Sequence, residues 1–212
     1  MKTLGKGFVG TVYMIEKEGA PLVLKEFAPS WLAKISYQLL CLKKHPYCTD
    51  EGVRAAFHRR RIACRLSKIW DQDNYIEDAI AMHGNRSFLC KYVEGHSVTH
   101  NELDLALSFA RELKNNLYEA GLPTISLEGL PLKYIPGSSN RWVDIRNLLI
   151  TEQGNLILID FESGIPRFKR GKFVLDDTDF DRLGDYVRGI DDEELRSELE
   201  LLREYEVDAD GR

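Results

Sequence analysis

The chain has 212 residues, 43% of them hydrophobic and 30% charged, with only seven prolines. That composition excludes whole-chain disorder and leaves room for one large domain or two small lobes sharing a cleft. A net charge of −5 argues against a protein that binds nucleic acid by neutralising phosphates, so no nucleic-acid partner is expected. The charge is unevenly spread: residues 176–212 hold fifteen acids against five bases, an acidic tail behind a mildly basic body. Cys41, Cys48, Cys64 and Cys90 form no C-x-x-C pair and have no histidines at zinc-ligand spacing, which points to buried, reduced thiols. The first residues lack the apolar core of a signal peptide, and no apolar run reaches membrane-spanning length. A soluble, cytoplasmic protein is the expectation.

In chain order, residues 9–15 and 22–24 read as a β-hairpin turning at Glu18-Gly19-Ala20-Pro21. Residues 30–44 form an apolar helical stretch carrying Trp31, Leu32, Ile35, Leu39 and Leu42, ended by His45-Pro46. A second helix fits residues 51–70. It has Ile62, Leu66, Ile69 and Trp70 on one face, and Arg54, His58, Arg61, Arg65 and Lys68 on the next. Residues 87–93 read as a strand ending at Glu94-Gly95, and a helix over about 101–119 is stopped by Gly121 and Pro123. Two short strands near 147–151 and 155–159 flank a turn, and helices over about 178–188 and 191–205 finish the chain. Strands lead and helices follow, the order of an α+β protein with a hinge after Val93.

Two segments carry candidate chemistry. Gly5-Lys6-Gly7-Phe8-Val9-Gly10-Thr11-Val12-Tyr13 fits G-x-G-x-x-G-x-V, a turn whose backbone N–H groups can approach phosphate oxygens closely. A dinucleotide-binding fingerprint requires a helix straight after the glycines, whereas here a strand follows. The next strand delivers Lys25 where a phosphate-pairing lysine belongs; the plain alternative is a surface lysine at a strand end. Further on, the apolar run Leu156-Ile157-Leu158-Ile159 ends in Asp160, thirteen residues after Asn147. Both sit at the open end of one hairpin, where their oxygens can share a Mg²⁺, or else each simply caps local structure.

Taken in order, these residues resemble the protein-kinase-like superfamily over about residues 4–165. Gly5, Lys6, Gly7, Gly10 and Val12 resemble the loop that covers the nucleotide, and Lys25 the lysine of the third strand. Tyr92, Val93 and Glu94 resemble the adenine-pairing hinge of small-molecule and lipopolysaccharide-type kinases. Asn147 resembles the catalytic-loop asparagine, and Asp160-Phe161-Glu162 the D-F-G motif with glutamate for glycine. The resemblance implies a two-lobe α+β fold, with a mostly antiparallel β lobe over 1–95 and a short, reduced helical lobe over 96–212. It implies ATP and Mg²⁺ as cofactors, Asn147 and Asp160 as metal ligands, and an acceptor that is a small molecule, a glycolipid or a protein.

The sequence departs from the family pattern twice. Counting back from Asn147 puts Asn140-Arg141-Trp142 where His-x-Asp belongs, and tryptophan cannot accept a proton. The nearest carboxylate, Asp144, is the candidate to orient an acceptor hydroxyl, or else is structural. The helix over 51–70 should also supply a glutamate to Lys25, yet no glutamate occurs between Glu51 and Glu77. Both departures suit a pseudokinase that binds or scaffolds, and both suit a divergent active kinase with Asp144, Lys25 and Asp160 as its catalytic set. Transfer of another part of ATP, such as the nucleotidyl group, is a third reading. The run Arg167-Phe168-Lys169-Arg170-Gly171-Lys172 is either an anion-binding patch or a solvated surface balanced by the acidic tail. The helix over 30–44 is either core packing or a docking surface for a membrane or partner, edged by Lys34, Lys43 and Lys44.

Overall fold

The structure is a computed structural model, and it describes residues 1–6, 9–41, 45–123, 147–161, 167–169, 172–174 and 178–209. Three strands open it: β1 (Lys2–Lys6), β2 (Gly10–Lys17) and β3 (Ala20–Phe27). The β2–β3 turn is tighter than the four residues expected. Only Glu18 and Gly19 lie outside the ladder, both with positive φ, at 55° and 80°. Two left-handed residues in a row match the twist of the flanking strands, so Ala20 and Pro21 join β3. Helix α1 (Trp31–Cys41) follows, then a 3-10 turn over Pro46–Cys48 and the long helix α2 (Asp50–Trp70). The Thr49 hydroxyl caps α2 by accepting from the Gly52 N–H at 3.0 Å, with Asp50 and Glu51 in the first turn against the helix dipole.

Three short strands come next: β4 (Tyr75–Ile76), β5 (Ala79–Met82) and β6 (Ser87–Lys91). Strands β1, β2, β3, β6 and β5 form, in that order, one antiparallel sheet. Past residues 92–95 run β7 (His96–Ser97), α3 (Leu103–Glu119), β8 (Leu148–Ile150) and β9 (Leu156–Leu158). A second sheet has the order β4-β9-β8-β7. In it β4, from the first half of the chain, pairs in parallel with β9. The hairpin β10 (Arg167–Lys169) and β11 (Lys172–Val174) and the helices α4 (Phe180–Arg188) and α5 (Glu193–Ala209) complete the described residues.

Helix α2 serves two cores. Val53, Ala56 and Phe57 pack under the first sheet with Val23, Phe27, Phe88 and Cys90. Ala55, Ile62, Ala63 and Leu66 pack with Leu148, Leu156, Leu158, Phe161, Leu183 and Leu202. Burying both sides of one long helix ties the sheets together. The thiols of Cys64 and Cys90 are buried, and burial pushes them up to about 11 and about 12. No helix among the described residues is long and apolar enough to cross a membrane.

The arginine-bearing face of α2 meets the acidic α5. Arg61 pairs with Glu194 at 2.6 Å and with Glu198 at 2.7 Å, His58 with Glu198 at 2.7 Å, Arg59 with Glu206, and Arg65 with Asp192 and Glu194. Part of the acidic tail is thus matched to α2. Whether its start at Asp176-Asp177 balances the basic run is a question on residues outside the described set.

Candidate functional site

Strand β3 carries Lys25 into the interior, directly across the ladder from Val12 of β2. The side chain is buried, 6% exposed, so the surface-lysine alternative does not hold. Its Nζ lies 3.1 Å from the Glu77 carboxylate and 3.9 Å from Oδ1 of Asp160, and it donates to the Ile159 carbonyl. Burial and the nearby Arg60 charge both act to lower its pKa. Glu77 first, then the Cys90 sulfur and the Asp160 carboxylate, outweigh them, and the ammonium is held above its ordinary value.

Glu77 was not singled out from the sequence as a site residue. It follows β4, and its own N–H donates to the Leu158 carbonyl at 2.9 Å, extending the β4–β9 pairing by one step. The pairing sets Glu77 beside Ile159 and under Lys25. Arg60, in the middle of α2, then fastens this corner. Its Nη2 lies 2.6 Å from Glu77 Oε2 and donates to the Ile159 carbonyl at 2.6 Å, while its Nε donates to the Glu77 carbonyl at 3.2 Å. Arg60 is 1% exposed and Glu77 2%. The helix that lacks a glutamate for Lys25 thus carries an arginine there, and the carboxylate comes from a strand edge instead. Arg60 gave no separate signal, because Arg59 and Arg61 flank it and only the packed structure shows which of the three is buried against Glu77.

Asp160 lies just past β9 with its side chain 40% exposed, so its carboxylate is open to solvent. Asn147 stands at the same open end of the hairpin, on the other strand, and its backbone carbonyl accepts from the Ile159 N–H at 2.8 Å. A carboxylate and an amide oxygen at one strand end fit a small hard cation such as Mg²⁺, which keeps several waters and needs few protein ligands. Among the described residues no group of three or more His, Cys, Asp or Glu side chains could hold a metal unaided.

The glycine-bearing turn lies at the β1–β2 end of the first sheet. Gly10 is required by packing: a Cβ there would fall 2.2 Å from the Glu26 carbonyl oxygen. At Gly5, inside β1, a Cβ would meet nothing within 4 Å among the described residues. Lys6, at the end of β1, is exposed. Tyr92 and Val93 are half-buried and Glu94 exposed in the connection after β6. Gly7, Asp144 and Glu162 lie outside the described residues. A cavity of about 420 Å³ exists elsewhere, between α2, β5 and α5. It is lined by three cations, Arg61, Arg65 and Lys68, and three anions, Asp78, Glu194 and Glu198, and so has no charge preference of its own.

Helix α1 has two apolar faces. Ala33 and Tyr37 are buried, whereas Trp31, Leu32, Ile35 and Leu39 point outward, with Trp31 67% and Leu39 73% exposed. Core packing accounts for the first pair only.

No family model matches the sequence, and no curated protein matches it. Solved structures do. The PknI kinase domain of Mycobacterium tuberculosis aligns over 86% of this chain and 68% of that one, at 17% identity and a TM-score of 0.39. A mutant of the same domain gives 18% identity and a TM-score of 0.43 over the same shares.

Proposed function

We propose that the chain is an atypical kinase-like phosphotransferase that moves the γ-phosphoryl group of ATP, with Mg²⁺, to a hydroxyl acceptor. On this reading residues 1–95 and 96–212 are the two lobes of one bilobal domain. One observation carries the proposal: the buried Lys25 ammonium stands 3.9 Å from Asp160, a carboxylate open to solvent. A phosphate entering there meets a fixed cation on one side and a metal-binding carboxylate on the other.

Each residue then has a task. The backbone of Gly5, Gly7 and Gly10, with Lys6, covers the phosphates, and Val12 borders the adenine next to Lys25. Backbone groups of Tyr92, Val93 and Glu94 pair with the base. Lys25 holds phosphate oxygens by charge-assisted hydrogen bonds. Asp160 and Asn147 would hold Mg²⁺, whose charge neutralises that building up on the phosphates. Asp144 orients the acceptor hydroxyl. Phosphoryl transfer asks little covalent chemistry of a protein, so positioning and charge supply most of the rate.

The acceptor is a small molecule, a glycolipid or a protein. The outward face of α1, with exposed Trp31 and Leu39 and no acidic residue between Glu26 and Asp50, supports peripheral contact with an anionic membrane through residues 30–44. Vesicles containing anionic lipid should then sediment the wild type and leave a Trp31→Ala/Leu39→Ala variant in the supernatant.

Incubation with Mg²⁺ and γ-labelled ATP tests the enzyme directly, by transfer, hydrolysis or self-labelling. Asp144→Asn should lower turnover by about 10²-fold, the scale of a positioned base, with nucleotide affinity kept within about three-fold. The alternative is a nucleotide-binding pseudokinase, favoured by Trp142 in the place of the usual base. Binding of Mg·ATP without any turnover would select it.

A further inference from the structure

We propose that Glu77, held by Arg60, is the positioning residue for Lys25, doing from a strand edge what the sequence of α2 does not provide. The inference rests on the nucleotide reading above and names the device that would make Lys25 competent within it.

The first ground is geometry. One backbone carbonyl, that of Ile159, accepts from both Lys25 and Arg60 and directly precedes Asp160. Glu77 touches both cations, at 3.1 Å from Lys25 and 2.6 Å from Arg60. The ammonium and the Asp160 carboxylate are therefore set against the same point of the backbone. A side chain with four rotatable bonds, such as lysine, gains a fixed height in the cleft only through partners of this kind.

The second ground is electrostatic. Lys25, Arg60, Glu77 and Asp160 make two cations and two anions, so the corner is neutral while three of its members are almost wholly buried. Desolvating such charges is expensive, and an apolar cluster of similar volume often serves stability as well or better. A buried charged cluster beside an open carboxylate is spent on geometry. It also separates this chain from any scheme in which the helix carries the lysine's partner. Glu77 is zipped to β9 through its own N–H, so a shift of α2 alone would not carry it away from Lys25.

A double-mutant cycle on the full chain tests this, with Mg·ATP affinity measured by calorimetry for wild type, Glu77→Gln, Lys25→Met and the double variant. Glu77→Gln should weaken Mg·ATP by about 10-fold or more, the scale of one lost charge-assisted contact, and by less than about two-fold once Lys25 is methionine. Glu77→Asp keeps the charge on a shorter stem and should recover part of the loss. Should Glu77→Gln fail to fold, Glu77→Asp takes its place in the cycle with a smaller expected effect of about three-fold. An effect of equal size with and without Lys25 would mean that Glu77 acts on the fold rather than through the lysine, and would overturn the proposal. So would unchanged affinity in the glutamine variant. A wild type that binds no Mg·ATP would bring down the nucleotide reading and this proposal together, whereas binding with a non-selective cycle removes this proposal alone.

Discussion

Helix α2 presents charge on two sides, and the two behave by different rules. On the inner side Arg60 is 1% exposed and meets Glu77, which is 2% exposed, and a backbone carbonyl. On the outer side Arg61 and Arg65 meet Asp192, just before α5, and Glu194 and Glu198 of α5, with side-chain exposures from 12% to 48%. The outer ladder has more ion pairs, yet water and salt screen most of them and each contributes little. The inner cluster has few pairs, but removing one partner strands a buried charge. Counting ion pairs would rank the outer face first; burial reverses the order.

The most severe way to break this comparison is Arg60→Ala. It leaves Glu77 facing Lys25 without its second cation and should cost roughly 3–5 kcal/mol, read from the shift in urea midpoint. His45 sharpens it from the opposite direction, as a buried titratable group whose pKa is set by burial. Its Nδ1 accepts from the Tyr47 N–H at 3.2 Å, and burial lowers its pKa from 6.5 to about 4. The folded state therefore favours the neutral ring. The stability this brings is complete above about pH 6.5 and is lost as pH falls toward 4, up to about 3 kcal/mol by linkage. Unfolding midpoints at pH 7 and pH 4.5, with His45→Gln as the control that flattens the difference, check it. Gly10→Ala should cost about 1–3 kcal/mol, because its Cβ would meet the Glu26 carbonyl, while Gly5→Ala should leave thermal stability within about 0.5 kcal/mol. On the outer face, Arg65→Ala should cost under about 1 kcal/mol, and 1 M salt should erase the difference.

Local patterning made much of the fold legible. The β2–β3 hairpin, α2 and α3 announced themselves through turn residues and helical periodicity, and the strand after Gly10 excluded a dinucleotide fold before any geometry was known. The glycine turn, Asn147 and Asp160 also stood out, because each sits at the end of an element whose type the sequence reveals, and Lys25 stood out as the lone lysine of an apolar strand. Glu77 did not stand out. Its strand has two residues, Tyr75–Ile76, and pairs with β9 some eighty positions away, so no local period marks it. The match of α2 to α5 was half visible: the arginine stripe and the acidic tail were each plain, but only tertiary packing brings Arg65 to Asp192 and Glu194. The two-residue turn at Glu18-Gly19 was missed because a non-glycine residue takes positive φ there.

The measurement that bears most directly on the central claim is a calorimetric titration of Mg·ATP into wild type, Lys25→Met and Asp160→Ala. The account predicts saturable binding by the wild type that depends on Mg²⁺, weakened by about 10-fold or more in each variant, with Asp160→Ala alone losing the Mg²⁺ dependence. Binding of equal strength in all three proteins, or none to the wild type, would contradict it.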